Sequence, residues 1–429
     1  MQAVIICGGK GSRLKSTIGN VPKALVKFNN VENLKRQIKI LKKNGIKKFI
    51  FLVNNFEKEI SQFLKINFDD NFIIHKDKDY FGTAGCLYNA KKHLEKNFLI
   101  IYSDIYFDFN FKKFIKSSAA QKTILSCVVH ANDHSHDSDT VNLDKNFYIK
   151  KINKKNSGIN KINNAITGIY YADKKFLSQF KFLKNKSYDL VNDIFIKLLK
   201  NKCNIYAYKS IEYIKDFGTP KRINIVKSDI KKNKIKNLNF FYKTKAVFLD
   251  RDGVINEENE NSKNLKNFKI FPASLAAIKK LNENKIPCFV VSNQSGLAKG
   301  DFTLSEFYKL TFKLDKSLSK LGAYIDDFLV CPHFTNLKYK NTNESFFSNY
   351  RKPNSGMINT FIKRYGINRK KSFMVGDSDR DILAGKNAGL KTILVKSRKI
   401  YDYKINIIPD FKTLNLELAV NMILNSKKI

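Results

Sequence analysis

The sequence predicts an α/β protein made of two doubly wound domains, one in each half of the chain. Three observations support this fold class. The 429 residues exceed what one ordinary hydrophobic core encloses. Apolar runs of strand length alternate with segments of helical spacing, and the alternation starts again at Lys245. In each half, a predicted buried strand ends in residues suited to phosphate chemistry, Gly8-Gly9 in the first and Asp250 with Asp252 in the second.

The composition argues against several classes of protein. No apolar run approaches the roughly 18 residues needed to span a bilayer, so we expect a soluble, cytoplasmic chain without a membrane partner. The six cysteines are scattered and form no Cys-x-x-Cys motif, which favours a reducing compartment. The formal charge of +41 comes mostly from lysines spread over both halves, and we interpret it as compositional drift. We therefore expect small-molecule substrates and no nucleic-acid partner.

The few arginines are more informative than the many lysines. Arg13, Arg251, Arg351 and Arg380 all lie in stretches that we interpret as catalytic. Only a guanidinium group offers a planar, bidentate fork for phosphate. Phosphate recognition in both halves is the expected consequence.

The loop after the first predicted strand, Ala3 to Cys7, is rich in glycine and reads Gly8-Gly9-Lys10-Gly11-Ser12-Arg13. Glycines let backbone N–H groups turn inward and bind phosphate, and Arg13 adds a fixed positive charge. The spacing fits neither the dinucleotide motif G-x-G-x-x-G nor the G-K-[ST] of an ATPase loop. With Pro22-Lys23 downstream, the loop resembles the signature of sugar-phosphate nucleotidyltransferases. The resemblance implies that Gly8, Gly9, Gly11 and Ser12 bind substrate and that Arg13 and Lys23 are catalytic.

The alternation then continues as a doubly wound sheet requires. We predict a helix over Val31 to Asn44, a strand over Lys48 to Val53, a helix over Glu57 to Leu64, and strands over Phe72 to His75 and Phe98 to Ser103. Gly82 and Thr83 open a further helix. The family resemblance assigns them contact with the nucleotide base, and plain helix capping is the alternative.

Two aspartates mark a predicted metal site in this half. Asp104 follows the strand Phe98 to Ser103, and Asp216 stands far downstream before Phe217-Gly218-Thr219-Pro220. Mg²⁺ on nucleotide phosphates prefers one or two carboxylates with several waters. The resemblance implies that Asp104 and Asp216 bind Mg²⁺, whereas Asp108 is expected to be a turn residue.

Sugar recognition departs from the family pattern. The stretch Asn163 to Tyr170, with Gly168, matches the sugar-proximal strand of the family, but Val191 stands where the family usually carries glutamate. Sugar binding then relies on other groups, such as Asp189 or Asp193. For His134-Ser135-His136-Asp137-Ser138-Asp139, no metal-ligand geometry follows from the sequence, and we expect a sugar-facing loop.

The basic, polar stretch Arg222 to Lys245 is predicted to be a terminal helix that passes into a linker. We expect a nucleotidyltransferase domain at residues 1–232, a linker at 233–244 and a phosphatase domain at 245–429.

The second half opens on the strand that ends in Asp250-Arg251-Asp252-Gly253. Side chains two residues apart in a strand share a face, and two like charges that close repel unless a cation or proton lies between them. A strand-end Asx turn with solvated carboxylates is the alternative from this stretch alone. Three further motifs follow in order: Ser292-Asn293-Gln294-Ser295-Gly296, Arg351-Lys352-Pro353 and Gly376-Asp377-Ser378-Asp379-Arg380-Asp381. Together the four resemble the motifs of haloacid-dehalogenase-type phosphatases, which have a Rossmann-like fold.

This resemblance implies a role for each part. Asp250 would attack phosphorus and form an aspartyl-phosphate, and Asp252 would act as general acid and then general base. Ser292 and Lys352 would stabilise charge on the phosphoryl oxygens, with Asn293 and Arg351 as further substrate-binding groups. We expect Mg²⁺ to be bound by the carboxylates at positions Asp250, Asp252 and Asp377.

Within that superfamily the motifs look like the branch that acts on heptose bisphosphate and histidinol phosphate. That branch often carries a structural zinc ion, but only Cys331 and His333 remain, because Ser348 and Tyr350 replace the two later cysteines. Two ligands cannot close a tetrahedral site, so we predict no zinc. The loop from Phe334 to Asn349 is expected to serve as a small lid.

The sequence therefore predicts a bifunctional enzyme of nucleotide-activated heptose synthesis. The second domain would hydrolyse the 7-phosphate of D-glycero-D-manno-heptose 1,7-bisphosphate, and the first would transfer a nucleotidyl group from an NTP to the remaining 1-phosphate. GTP is the expected donor, although no residue decides the base. Two alternatives stay open: a mannose- or glucose-1-phosphate nucleotidyltransferase fused to a histidinol-phosphate-type phosphatase, and a polyanion-binding protein built on degenerate enzyme domains.

Overall fold

The computed structural model describes residues 1–9, 11, 14, 19–68, 72–77, 81–155, 163–257, 268–332, 348–396 and 407–425. The chain divides into two compact units. The first holds most of residues 1–235, and the second holds residues 236–429 together with Ala131–Asp137 and Asn163. This division lies inside the predicted linker at residues 233–244, and the domain limits themselves stay a prediction.

The first unit alternates strands and helices along the chain. Its strands are β1 Gln2–Ile6, β2 Lys27–Phe28, β3 Val31–Glu32, β4 Lys48–Val53, β5 Phe72–Lys76, β6 Asn97–Tyr102, β7 Ile105–Asp108, β8 Leu125–His130, β9 Thr140–Leu143, β10 Ile149–Asn153, β11 Ala165–Asp173, β12 Ile205–Lys209 and β13 Tyr213–Asp216. Its α-helices are α1 Asn33–Lys43, α2 Glu57–Asn67, α3 Gly82–Asn89, α4 Phe111–Ala120, α5 Ile196–Lys200 and α6 Pro220–Lys231, and a π-helix, Leu190–Phe195, leads into α5. Short 3₁₀ turns occupy Lys23–Leu25, Lys91–His93 and Lys174–Gln179. Two more turns are Ser135–Asp137, which is assigned to the second unit, and Ile235–Leu238, at which the first unit ends.

The main sheet of this unit is mixed. Strands β6, β1, β4 and β5 lie side by side and run parallel, whereas β11 pairs antiparallel with β6 and with β8. Alternate residues of β1 serve opposite faces: Val4 packs in one core cluster, and Ala3 and Ile5 pack in the other. This two-sided burial explains why the parallel strands are apolar throughout.

The second unit contains strands β14 Val247–Leu249, β15 Cys288–Asn293, β16 Asp327–Cys331, β17 Phe373–Gly376, β18 Lys391–Val395 and β19 Phe411–Thr413. Its α-helices are α7 Pro272–Glu283, α8 Ser295–Lys299, α9 Leu304–Lys320, α10 Gly356–Tyr365, α11 Asp379–Asn387 and α12 Leu416–Asn425, with 3₁₀ turns at Phe240–Tyr242 and Arg369–Lys371.

These strands form one parallel sheet in the order β16-β15-β14-β17-β18-β19. Val247 and Leu249 pack in the core on one face, while Phe248 packs against Phe289 and Phe361 on the other. Strand β14 lies in the middle of the sheet, so its carboxyl end is flanked by those of β15 and β17. The predicted α/β class with two Rossmann-like units is confirmed.

Two local predictions differ from the structure. The helix predicted from Val31 begins at Asn33, because Val31 and Glu32 pair with Lys27 and Phe28 in a small hairpin. The terminal helix predicted from Arg222 begins two residues earlier, at Pro220, and it buries Ile223 and Val226. None of the helices in the described part of the chain is long and apolar enough to cross a membrane.

Candidate active site

The carboxyl edge of the second sheet brings three of the predicted motifs together. Val247–Leu249 pairs in register with β15 on one side and β17 on the other. Asp250 and Asp377 follow β14 and β17, and Ser292 is the last residue but one of β15. The Asp250 N–H donates to the Val375 carbonyl at 3.0 Å, which ties the start of the acidic loop to β17. A parallel sheet places its strand ends at one edge, so these side chains share one site.

Three carboxylates meet at this edge. Asp250, Asp377 and Asp381 each offer an oxygen within 4.8 Å of the others, a group that can hold a metal ion. The sequence-based set named Asp252 in place of Asp381. The structure places Asp381 in the cluster, because this residue lies in the first turn of helix α11 and its side chain points back to the strand end. The Asp252 carboxylate has a different set of partners.

Gly253 makes this cluster sterically possible. Its φ is +79°, and a Cβ atom at this position would lie 1.9 Å from Asp377 Oδ2. Only glycine both adopts the left-handed turn without strain and leaves room for the carboxylate.

Lys352 lies between two of the carboxylates. Its Nζ is 2.8 Å from Asp250 Oδ1 and 2.6 Å from Asp381 Oδ1, and its side chain is 2 % exposed. Asn293 holds the Lys352 backbone from both sides: its Nδ2 donates to the Lys352 carbonyl, and its Oδ1 accepts from the Lys352 N–H, both at 3.0 Å. Asn293 was predicted to bind substrate, and the structure uses its amide to position the lysine.

Burial and neighbouring charge raise the pKa of Asp250. Loss of solvent is the largest cause, Asp381 and Asp252 add repulsion, and Lys352 opposes them, which leaves the pKa at about 7. Burial alone would lower the pKa of Lys352, but the charges of Asp250 and Asp381 raise it above its ordinary value. Lys352 is therefore held as a cation, and further positive charge in the cluster would favour the ionised form of Asp250.

Asp252 belongs to a separate hydrogen-bond network. Its Oδ1 accepts from Arg251 Nη2 at 2.9 Å and from Asn256 Nδ2 at 2.8 Å, and its Oδ2 accepts from Gln294 Nε2 at 2.7 Å. Burial alone would raise the pKa of Asp252, but the Arg251 charge and these hydrogen bonds lower it. The resting carboxylate is thus ionised and fixed in direction.

These groups surround one open cavity. It is lined by Asp250, Asp252, Ser292, Asn293, Ser295, Arg351, Lys352, Asp377, Ser378, Arg380 and Asp381. Ser292 and Arg351, both predicted from the sequence to bind substrate, line its wall, and the lining is mainly polar and charged. Such a cavity suits a phosphorylated, hydrophilic substrate.

Sequence reasoning missed Asp381 and Gln294. The signal for Asp381 was available, since it follows Asp377 by four residues in a G-D-x-x-x-D pattern that opens a helix. Ser378 caps that helix and donates to Asp381 Oδ2 at 2.6 Å, so the carboxylate serves as a helix cap and a member of the cluster at once.

In the first unit the structure brings two predicted residues into contact. Lys23 Nζ is 3.0 Å from Asp104 Oδ2. Strand β13 pairs with β7, and the Phe217 N–H donates to the Asp104 carbonyl at 3.0 Å, which places the Asp216 backbone beside Asp104. The Asp216 carboxylate also pairs with Arg222. Lys23 and the Asp104 carboxylate therefore meet just after β6, and the Asp216 backbone lies beside them.

Thr83, next to Gly82 at the start of helix α3, contacts Asp189. Gly82 has a φ of +77°, and a Cβ atom there would lie 2.4 Å from the Tyr188 carbonyl oxygen. Thr83 Oγ1 donates to Asp189 Oδ2 at 3.0 Å, and Asp189 Oδ1 accepts from the N–H groups of Val191 and Asn192. Asp189 thus caps the π-helix, a structural use that sequence reasoning did not foresee. The other candidate, Asp193, accepts from the Asp189 N–H at 2.7 Å.

The remaining predicted glycines occupy different surroundings. Gly9 has open space where a side chain would stand, as a phosphate-binding turn requires, and Gly11 has a φ of +67°. Gly8 packs beside Asn54 and near Asp77. Gly168 is required for packing, because a Cβ atom there would lie 2.8 Å from Tyr102 Cβ on the neighbouring strand. At Asp77, the neighbour of Gly8, burial raises the pKa to about 7, although hydrogen bonds with the Asn54 and Asn89 side chains oppose this rise.

Several predictions fall outside the described residues. Ser12 and Arg13, His333 and most of the expected lid from Phe334 to Asn349 are among them. Of the other zinc-related positions, Cys331 is buried at the end of β16, and Ser348 and Tyr350 are described as well. The absence of zinc stays a prediction.

Comparison with known proteins identifies both halves. Residues 2–233, more than half of the chain, match the family described as Nucleotidyl transferase, and residues 349–402 match the family described as HAD-hydrolase-like. A D-glycero-beta-D-manno-heptose-1,7-bisphosphate 7-phosphatase of Pasteurella multocida (strain Pm70) is 38% identical over 156 residues, which are 36% of this chain and 83% of that protein. The chain belongs to the nucleotidyl transferase family and to the heptose-bisphosphate phosphatase family.

Membership of these families confirms the predicted pair of enzyme classes, a nucleotidyltransferase and a phosphatase. A D-glycero-alpha-D-manno-heptose-1,7-bisphosphate 7-phosphatase of Photorhabdus laumondii subsp. laumondii is 33% identical and is covered over 84% of its length by 36% of this chain. Among solved structures, HddC from Yersinia pseudotuberculosis is 23% identical with a TM-score of 0.46, across 53% of this chain and 99% of that chain. The phosphatase relatives act on both anomers by name, so they leave the anomer open.

Proposed function

We propose that this nucleotidyl transferase and phosphatase chain makes a nucleotide-activated heptose in two steps. The second unit hydrolyses the 7-phosphate of D-glycero-D-manno-heptose 1,7-bisphosphate, and the first joins a nucleotidyl group to the 1-phosphate that remains. The observation that carries the proposal is the intact arrangement of Asp250, Asp252, Lys352 and Asp377 at one sheet edge, in a half that shares over 30% identity with heptose-bisphosphate phosphatases.

The geometry of the cavity supports the following phosphatase chemistry. Asp250 attacks phosphorus, and Lys352 with the Ser292 hydroxyl stabilises the charge that develops on the phosphoryl oxygens. Asp252 delivers a proton to the departing sugar oxygen and later takes one from the attacking water. Its resting form is ionised, and the arrival of a phosphoryl dianion beside it favours the protonated form that the first step needs.

The donor set fits Mg²⁺. Asp250, Asp377 and Asp381 supply hard oxygen ligands, and Gly253 leaves the space that the Asp377 carboxylate needs. When bound there, Mg²⁺ would offset the repulsion between the Asp250 carboxylate and the phosphoryl group. Asp381 takes the place in this set that the sequence had given to Asp252.

For the first unit we propose nucleotidyl transfer with release of pyrophosphate. Lys23, with Arg13, would neutralise charge on the triphosphate, and Asp104 with Asp216 would hold Mg²⁺. The glycine-rich turn at Gly8, Gly9, Gly11 and Ser12 would bind phosphate, while Gly82 and Thr83 would lie against the base. Gly168 and Asp189 would act on the sugar side of this site by fixing the shape of the chain around the sugar.

The order of the reactions supports heptose as the shared substrate. Removal of the 7-phosphate leaves a sugar 1-phosphate, which is the class of acceptor that sugar nucleotidyltransferases use. GTP is our proposed donor. The catalytic domains are proposed at residues 1–232 and 245–429, in a reducing cytoplasm that keeps the six cysteines as free thiols.

Product analysis by mass spectrometry tests the proposal. The full chain is incubated with heptose 1,7-bisphosphate, Mg²⁺ and each NTP in turn, beside Asp250→Asn and Asp104→Asn variants. We expect a nucleotide-heptose from the wild type, heptose bisphosphate left unchanged by Asp250→Asn, and heptose 1-phosphate accumulating with Asp104→Asn. Faster phosphate release from histidinol phosphate than from heptose bisphosphate would defeat the heptose assignment.

A further inference from the structure

Gln294 joins the two polar parts of the phosphatase site. It follows strand β15 directly and is 5 % exposed. Its Nε2 donates to Ser292 Oγ and to Asp252 Oδ2, both at 2.7 Å, and its Oε1 accepts from Arg251 Nη2 at 3.2 Å. One side-chain amide therefore contacts the phosphoryl-binding hydroxyl, the proton-transfer carboxylate and the arginine paired with that carboxylate.

The polarity of these bonds fixes the direction of each partner. Ser292 Oγ accepts from Gln294, so its own hydroxyl hydrogen is left to donate toward the cavity that it lines. A reversed amide would set its oxygen against the Asp252 carboxylate and its NH₂ group against Arg251, and both contacts would be repulsive. Only one orientation of Gln294 satisfies the network.

The backbone holds Gln294 in this place. Its N–H donates to the Cys331 carbonyl at 2.7 Å, which ties the residue to the end of the neighbouring strand β16. Arg251, its acceptor-side partner, is itself buried and forks onto Asp252 through Nε at 3.1 Å and Nη2 at 2.9 Å. The amide thus stands on rigid elements at both ends, as a positioning group must.

We propose that Gln294 is a positioning residue for both half-reactions of the phosphatase: it aims the Asp252 carboxylate at the leaving oxygen and keeps the Ser292 hydroxyl hydrogen free for the phosphoryl group. The inference rests on the proposed phosphatase activity and adds a residue to it.

The two half-reactions depend differently on Asp252. In the first, an Asp250 oxygen bonds to phosphorus, the bond from phosphorus to the sugar oxygen breaks, and that oxygen takes a proton from Asp252. In the second, a water oxygen bonds to phosphorus and gives a proton to Asp252, and the Asp250–phosphorus bond breaks to release phosphate. A p-nitrophenolate leaving group needs no proton, so with p-nitrophenyl phosphate only the second half-reaction requires Asp252.

This difference gives a test that a purely structural role would fail. Stopped-flow release of p-nitrophenol is followed for the full chain with Mg²⁺, in the wild type, Gln294→Met and Gln294→Glu. Methionine keeps the volume without hydrogen bonds, and glutamate keeps the shape without N–H donors. For both variants we expect the steady-state rate to fall by about 10- to 100-fold. The first turnover, which needs the Ser292 hydroxyl but not Asp252, should slow by much less than the later ones. With heptose bisphosphate, kcat should fall similarly and KM should change little.

Asn282→Leu is the matched control. Asn282 is also 5 % exposed in the second unit, and its Oδ1 accepts from the Tyr324 N–H outside the site. This variant should lose stability and keep the wild-type ratio of first to later turnovers. An unchanged steady-state rate in Gln294→Met, or a first turnover slowed as much as the later ones, would overturn the inference. Absence of phosphate release by the wild type from both substrates would instead overturn the proposed function.

Discussion

Replacing Gly253 by alanine perturbs the acidic cluster through a single methyl group. The left-handed φ of +79° costs a non-glycine residue about 1–2 kcal/mol. The new Cβ would also lie 1.9 Å from Asp377 Oδ2, where real Cβ atoms stay beyond 3.0 Å, so the carboxylate must move by about 1 Å. A shift of that size at reacting groups costs about 100-fold in rate. We expect Gly253→Ala to lose about 2–3 kcal/mol of unfolding free energy, at least about 100-fold in phosphatase kcat, and part of its affinity for Mg²⁺.

Gly300 provides the matched control. Its φ is +76°, and no atom lies within 4 Å of the position where a Cβ would stand. Gly300→Ala should therefore carry the backbone cost of about 1–2 kcal/mol alone and keep wild-type kcat and Mg²⁺ dependence. Urea denaturation and phosphate release across a Mg²⁺ series measure both effects. If Gly253→Ala were as active as Gly300→Ala, the contact with Asp377 would not govern the site, and the reasoning would be refuted.

Three further outcomes are expected. Lys352→Met removes the cation between Asp250 and Asp381, so the metal-free protein should lose about 3–5 kcal/mol in urea denaturation, and saturating Mg²⁺ should restore part of the stability but not the activity. Because the folded-state pKa of Asp250 is raised to about 7, the folded metal-free protein binds more protons than the unfolded chain between about pH 4 and pH 7. Its unfolding free energy should fall with rising pH over that range, and Asp250→Asn should abolish this part of the slope; an identical slope in both proteins would contradict the assignment. Gly168→Ala crowds Tyr102 in the first unit and should cost about 1–3 kcal/mol and lower nucleotidyl transfer, while phosphate release, assayed in the same preparation, should stay at the wild-type level.

Local patterns in the sequence were sufficient for the fold class and for most of the motifs. Short, continuous apolar runs predicted β1 and β14 nearly as observed, because parallel strands buried on both faces must be apolar throughout. The helix predicted from Val31 was wrong at its start, since the pairing of that residue with Phe28 in a hairpin is a contact that helical spacing does not encode.

The site shows the same division between local and long-range information. The position of Asp250 after a central strand could be predicted, because strand ends and turn residues are read from neighbouring positions. The direction of the Asp252 side chain could not, since it depends on Gln294, 42 residues away. The G-D-x-x-x-D pattern was a local signal for Asp381, but the meeting of its carboxylate with that of Asp250 depends on the pairing of β14 with β17.

Patterns along the chain were enough to predict two α/β units, each with candidate phosphate-binding residues at a strand end, and four motifs in the order of a phosphatase. Tertiary structure alone decided which oxygens meet: Lys352 between Asp250 and Asp381, Gly253 against Asp377, and Gln294 among Ser292, Asp252 and Arg251. The physical reason is that strand ends distant in the chain become neighbours only when the parallel sheet aligns them, and side-chain direction is then set by charge and hydrogen bonding across that edge.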